Sequence, residues 1–422
     1  MAARVLLASV LTAGSGIAQT RTVTLDEAVA LALQAQPAVV QARGDLNVAR
    51  ASQREAIGNW LPSLSASSGW STNSSERFDP NTQRTVSAAS TSYSAGLSAS
   101  LEVFDGFRRP AQNRAAGATT AAAEVGLVNQ RFQVTLQTKQ AFFNALAAAD
   151  LVRVSETRVQ RAEQQLKISK EKLAAGSATR SDTLRGTVEL GNALLQLLNA
   201  RTALATNEAN LARMVGVDGA VRAVGDSPSF DPGTLDTTAL RQEALANAPS
   251  IRLAEAQASA ADAQIPVARA QYFPSLTASY QQSLSGNQLS ALNDSWSLRL
   301  SVSWPLFNGF SRELGLSRSF ASRDAAVARA DDARRQANAQ FTQELASLLA
   351  ARQRVAIAEA SRAAGAEDLR VQQERYRLGL ATIVEVLTSQ VSLDQADVDL
   401  VQARLDLLLA KAQLEALLGR EL

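Results

Sequence analysis

The sequence predicts a mainly α chain with a small β part: long antiparallel coiled-coil helices plus two β-hairpins, four strands in all. Three observations carry this fold class. The chain repeats itself, its prolines leave two tracts free for very long helices, and two stretches alternate apolar and polar residues at period two.

Composition narrows the chemistry first. Of 422 residues only 5% are aromatic. Ala, Leu, Gln and Arg are abundant, and these side chains lose little rotamer freedom in a helix. Cysteine and histidine are both absent. That removes thiol chemistry, disulfides, imidazole acid–base work and the commonest metal ligand together. A hydrolase could still run on two carboxylates, yet no paired-acid cleft stands out. The expectation is therefore no enzyme, with no catalytic residue, no cofactor and no metal. A net charge of +2 gives no reason to expect a nucleic-acid partner.

At the N-terminus, Arg4 precedes the apolar run Val5 to Leu11, and Gly16-Ile17-Ala18 follows before Gln19. This is the pattern of a secretory signal peptide over residues 1–18, too short to span a bilayer. No cysteine follows, so no lipid anchor is expected, and no later segment reads as a transmembrane helix. Export without an inner-membrane anchor leaves periplasm, outer membrane or exterior.

The duplication is the strongest signal. Pro37 and Pro249 are 212 residues apart, and so are Pro62 and Pro274, within Trp60-Leu61-Pro62-Ser63-Leu64 and Tyr272-Phe273-Pro274-Ser275-Leu276. Further on, Phe104-Asp105-Gly106-Phe107 matches Phe307-Asn308-Gly309-Phe310 at an offset of 203, as do Gly176 with Gly379 and Gly216 with Gly419. The first repeat is read as residues 24–216 and the second as 236–419, joined by a linker at 217–235. The first is nine residues longer between 64 and 104.

Within each repeat the elements follow in order. The first reads as a helix from Leu25 to about Asn59, a non-helical stretch to Phe104, a long helix from Arg108 to about Ala174, a turn at Gly176 and a helix to about Val215. All ten prolines lie outside residues 111–227 and 306–422. A 67-residue helix rises about 100 Å, which demands an elongated structure. In the last helix Leu387, Val391, Asp394, Val398, Val401, Leu405, Leu408 and Ala412 step by four and three, a heptad seam with one polar member. The matching phase in the first repeat is Leu184, Val188, Gly191, Leu195, Leu198, Thr202, Ala205 and Ala209.

The non-helical stretches read as hairpins at about 63–104 and 275–307. Tyr93, Ala95, Leu97, Ala99, Leu101 and Val103 alternate with serines, Gly96 and Glu102. Trp296, Leu298, Leu300, Val302 and Trp304 alternate with Ser297, Arg299, Ser301 and Ser303. Ser63–Thr72 and Ser275–Ser285 precede them as partners, with polar loops expected at Asn73–Ser90 and Gly286–Asp294. Strands of this kind, apolar on one face and polar on the other, suit a membrane β-barrel. Trp60, Trp70, Trp296, Trp304, Tyr93, Tyr272 and Tyr280 cluster in or beside them, as an interfacial aromatic girdle would. Four strands cannot close, and lipid tolerates no open edge, so several chains must pool their strands.

This arrangement resembles the TolC-like outer-membrane efflux protein family, the outer-membrane factors. Thr24-Leu25-Asp26-Glu27-Ala28, the Leu61-Pro62-Ser63-Leu64 and Phe-Asx-Gly-Phe junctions, and Tyr376-x-x-Gly379-x-x-Thr382-x-x-Glu385-x-Leu387 carry the resemblance, which spans Thr24 to about Gly419. It implies a homotrimer with a twelve-stranded β-barrel in outer-membrane lipid and a long periplasmic α-barrel. It implies a passive exit duct of a tripartite efflux or type I secretion system, opened by a periplasmic adaptor protein and driven by an inner-membrane pump. A proton-driven pump and an ATP-driven one fit equally. By the same resemblance, Tyr376 and Asp182 form a latch, Glu385 belongs to an acidic ring, and Thr388 stands where some members carry a second acid. Ala381 stands where some carry an arginine of another latch. The tips at Gly176, Ser177, Thr179 and Gly379, Leu380, Thr382 would receive the adaptor. Read from the residues alone, Asp182 could equally cap the helix it begins. The competing reading is a secreted structural or adhesive trimeric coiled coil without a pore, which salt or alkali would strip from membranes.

Overall fold

The computed structural model describes residues 21–80, 83–225 and 236–422. The expected signal peptide, and residues 226–235 of the expected linker, lie outside them. In chain order the elements are β1 (Arg21–Val23), α1 (Leu25–Ala35), α2 (Pro37–Gly58), β2 (Ser63–Asp79), β3 (Arg84–Phe104), α3 (Arg108–Ala174), α4 (Arg180–Val215), β4 (Val221–Ala223), α5 (Thr237–Asn247), α6 (Pro249–Asp262), α7 (Gln264–Arg269), β5 (Ser275–Gln288), β6 (Ala291–Ser303), α8 (Ser311–Arg377) and α9 (Ile383–Leu418). They fall into two compact units. One comprises residues up to Gln41, Val128–Pro249 and Arg335–Leu422; the other comprises Ala42–Leu127 and Ser250–Arg334. Each unit draws on both repeats.

The first expected helix is in fact two. Gln36 is extended (φ −68°, ψ 126°) because it precedes Pro37, whose ring disfavours the helical region for its neighbour. Pro37 then opens α2, where a missing N–H costs nothing. The long helices keep proline out of their interiors: α3 takes Pro110 in its first turn, where a missing N–H is tolerated, and α8 begins after Pro305. Among the described residues no helix is long and apolar enough to cross a membrane.

The helical unit is closed by small and medium apolar side chains. Val23 and Val221 are buried where β1 and β4 pair in parallel, a two-stranded sheet that three-residue strands left invisible to sequence periodicity. Around them cluster Ala28, Phe142, Phe143, Leu211, Val215, Leu405 and Leu408. A second cluster joins Leu240 and Ala244 of α5 to Phe341, Leu348 and Leu414. Each fully buried Leu or Phe contributes about 1.5–3 kcal/mol.

The other unit holds the sheet, ordered β2-β3-β5-β6 and antiparallel throughout. Its hairpins are copies in register: Ser63 faces Ser100 as Ser275 faces Ser303, so the offsets of 212 and 203 carry one pairing onto the other. Strand extent differs from expectation. Residues read as polar loops continue the strands, and only residues 80–83 and 289–290 separate them. The segment beyond Thr72 lacks a sustained apolar face, so its alternation was silent although its backbone pairs with β3.

Pairing sorts the side chains into two faces. Leu64, Trp70, Tyr93, Leu97, Tyr280, Trp296, Leu298, Leu300 and Val302 share one; Ser65, Ser98, Gln281, Ser297 and their row neighbours share the other. The apolar face is solvent-exposed in the single chain, with Trp296, Leu298, Leu300 and Val302 each about 70% accessible. Strands β2 and β6 leave both edges of the sheet open.

Candidate functional site

In the helical unit, the two tips are built by the same local chemistry. Helix α3 ends as Gly176 turns left-handed (φ +73°), letting the Ser177 amide donate to the Lys172 carbonyl at 2.8 Å. At the other tip Gly379 (φ +78°) lets the Leu380 amide donate to the Arg375 carbonyl, also at 2.8 Å. Thr179 then caps α4 and Thr382 caps α9, each in a reciprocal capping box. The Thr179 amide donates to Asp182 at 2.8 Å, and the Thr382 amide donates to Glu385 at 2.6 Å. The Thr382 amide, then its hydroxyl, then the charge on Arg375 hold the Glu385 carboxyl below its ordinary value of 4.5. The tips differ in surface: Leu378 and Leu380 are exposed on the second, where Ala175 and Ser177 stand on the first.

Tyr376 is buried among Leu369, Ile383, Val386 and Leu393. The Lys172 ammonium lies 4.2 Å from its ring centroid and donates to its carbonyl oxygen. Its hydroxyl is buried and meets no hydrogen-bond partner among the described residues. Within one chain, then, Tyr376 and Asp182 are not joined, and the Asp182 carboxylate serves the cap. The Thr388 hydroxyl is turned onto the Val384 carbonyl at 2.9 Å.

Sequence reading missed an ion network further along the same helices. Asp394 of α9 meets Arg161 at 2.7 Å and Arg158 at 3.1 Å; Asp397 meets Arg161 at 3.0 Å and Arg362 at 2.7 Å. Arg158 also holds Glu189 of α4 at 2.8 Å. Three cations and three carboxylates thus tie α3, α4, α8 and α9 in a balanced group. Burial pushes the Asp394 carboxyl up, against the opposing pull of Arg161 and Arg158 and with Glu189 and Asp397 adding to the rise. The signal was present: Asp394 is the single polar member of its heptad seam.

In the other unit, the expected girdle residues separate into two bands. Trp60, Tyr272 and Trp304 gather at the foot of the sheet, where Arg109 lies over Trp60 at 4.8 Å and Arg312 over Tyr272 at 4.9 Å. The Trp304 indole donates to the Tyr272 carbonyl at 3.2 Å. Phe107 meets Phe104 at 5.3 Å and Phe273 at 5.9 Å, both edge-on, and Phe307 meets Phe310 at 5.6 Å. These phenylalanines belong to the lower band and were not anticipated. Trp70 stands opposite Tyr93, seven residues along from the Ser63–Ser100 pair, and Trp296 stands opposite Gln282. Tyr280 lies between the bands, across from Leu298. Seven residues span about 23 Å of strand, close to the ~25 Å apolar band of a membrane barrel.

The strand-to-helix turns complete this unit. Gly106 and Phe107 are both left-handed (φ +66° and +67°), and Gly309 and Phe310 repeat them (φ +64° and +63°). A side chain at Gly106 would meet the Phe273 Cβ at 2.6 Å, so this turn requires glycine twice over. Asp105 then accepts the Arg109 amide at 2.7 Å and its guanidinium at 3.1 Å.

A family model described as outer membrane efflux protein matches residues 28–217 and 240–420. The chain belongs to the outer membrane efflux protein family. Among relatives, the pyoverdine export outer membrane protein OpmQ of Pseudomonas aeruginosa is 29% identical over 340 residues, 78% of this chain and 70% of that protein. Outer membrane protein OprJ of the same species is 26% identical over 374 residues, covering 86% and 77%. Among solved structures, CusC superposes with a TM-score of 0.81 at 20% identity, covering 94% of this chain and 92% of that one. The efflux family supplies outer-membrane channels that work within tripartite pumps. This chain is therefore an outer-membrane transport channel, mainly helical with a small β domain.

Proposed function

We propose that three copies of this efflux-family chain assemble into a passive duct, not an enzyme, whose twelve pooled strands cross outer-membrane lipid. The observation that carries this reading is the four-stranded sheet itself. It has one apolar face between two aromatic bands, one serine face and two open edges. Lipid would cover the first face, water the second, and only further copies could satisfy the edges.

The tips are the proposed docking points for a periplasmic adaptor: Gly176, Ser177 and Thr179 on one, Gly379, Leu380 and Thr382 on the other. The gate reading assigns Tyr376, Asp182, Glu385 and Thr388 to the closed state. The Tyr376 hydroxyl has no partner among the described residues of its chain, which suits a bond made across a subunit boundary. An adaptor binding the open tip more tightly would shift the equilibrium toward opening, and an inner-membrane pump would supply the drive.

Three sets of measurements test this. Detergent-solubilised protein should have the mass of a trimer by light scattering and should conduct in planar bilayers; release from membranes by alkali alone would sink the barrel. Photo-crosslinkers at Ser177 or Leu380 in cells should capture an adaptor and its pump. The double variant Tyr376→Phe with Asp182→Ala should raise conductance, and an unchanged conductance would sink the gate assignment.

A further inference from the structure

The serine face of the sheet is chemically almost uniform, and among the described residues between the aromatic bands a single unpaired charge interrupts it. Rows run straight across the four strands: Ser65, Ser98, Gln281 and Ser297 form one, and Ser63, Ser100, Ser279 and Arg299 form the next. Between the two aromatic bands this face carries two charges, Glu102 and Arg299. Glu102 is engaged by Arg108. Arg299 is exposed and has Ser279 beside it, with Ser297 and Ser301 next along its own strand on that face.

A neighbouring copy would not neutralise it either. The β3–β5 pairing places Gly96 opposite Ser283. Carried through the repeat offsets of 203 and 212, that pairing sets Arg299 of β6 opposite Ser71 of the next copy. From 63 to 75 this face of β2 offers Ser, Ser, Ser, Gly, Ser, Asn and Ser, with no acid.

We infer that Arg299 is the charge-selective residue of the barrel lumen, three copies forming a guanidinium ring that favours anionic solutes such as carboxylates, phosphates and sulfates. The inference rests on the trimeric duct proposed above. Twelve strands ~4.8 Å apart and tilted ~40° give a backbone radius of about 12 Å. Arginine side chains reaching inward leave the axis within about one Debye length, ~8 Å at physiological salt. The guanidinium presents a planar donor fork matched to oxyanions. The surrounding hydroxyls add neutral donors, and the carboxylate on this face between the bands, Glu102, is already engaged by Arg108. A ring of basic side chains is a recognised physical route to anion selection in a pore.

Reversal potentials in planar bilayers under a KCl gradient test it. The wild-type chloride-to-potassium permeability ratio should fall about twofold in Arg299→Gln and further in Arg299→Glu, and Arg299→Lys should restore it. The differences should shrink toward 1 M salt, where screening shortens to ~3 Å. The comparison is between variants, so a fixed cation preference from Glu385 in the other unit cancels. Channels of normal conductance with the same ratio in wild type and Arg299→Glu overturn the inference alone. If the glutamate variant does not assemble, an unchanged ratio in Arg299→Gln does the same. Wild-type protein that forms no channels overturns the duct reading and the inference with it.

Discussion

Asp182 and Glu385 hold the same position in the two helical tips: each is the third residue of its helix and turns its carboxylate back onto the amide of a capping threonine, at 2.8 Å and 2.6 Å. Their first duty is therefore local. Thr179→Ala should lower stability of the first tip by about 1 kcal/mol, seen as faster amide exchange at 179–182 with little change elsewhere.

The sign of the pH effect at the second tip follows from its cap. The Glu385 carboxyl is held below its ordinary value of 4.5, so its stabilisation is complete above that value and is lost as pH falls through the lowered one. Amide exchange at the start of α9 should accelerate only on that acid side. In Glu385→Gln the pH step should vanish.

Asp394 behaves in the opposite sense. Its carboxyl is pushed above 3.8, so the folded state gains relative stability as pH falls through the raised value toward 3.8. Thermal unfolding of Asp394→Asn should lack that component. Arg161→Ala, by contrast, leaves two buried carboxylates short of a partner and should cost about 3–5 kcal/mol.

The Tyr376 hydroxyl is buried without a partner among the described residues of its own chain. Tyr376→Phe should leave a dissociated, folded chain unchanged or up to about 1–3 kcal/mol more stable, since an unpaired buried hydroxyl is costly. If the assembled protein is destabilised instead, the hydroxyl is paired across subunits.

Gly106 and Gly309 offer a controlled contrast. Both are left-handed, but a Cβ at Gly106 strikes Phe273 while one at Gly309 meets open space. Gly309→Ala should cost about 1–2 kcal/mol, whereas Gly106→Ala should cost more and reduce the yield of assembled protein, read as the fraction of oligomer by light scattering in detergent.

Much of this fold was legible because it is written in long-period features. Proline-free tracts marked α3 and α8, matched glycines marked the tips, and an apolar–serine alternation marked the lower strands. The upper strands were hidden because serine, threonine and asparagine face both sides there. The ion network was hidden because Arg161 and Asp394 are 233 residues apart, and only packed helices bring them together. The shared role of Asp182 and Glu385 was in plain view at the offset of 203, but carrying family roles to each residue separately concealed it.

The β3–β5 pairing joins the second strand of one repeat to the first strand of the other. Any contact between β6 and β2 of two copies would join strands of the same two kinds. The chain thus carries, fused within itself, one specimen of the seam that the proposed trimer would form between copies. By that mould Leu97 opposite Gln282 becomes Leu300 opposite Trp70 of the next copy. Folding and assembly become one pairing rule, obeyed alternately by a covalently tethered partner and a free one. A ring closed this way has six near-equivalent seams, only half of which depend on protein concentration.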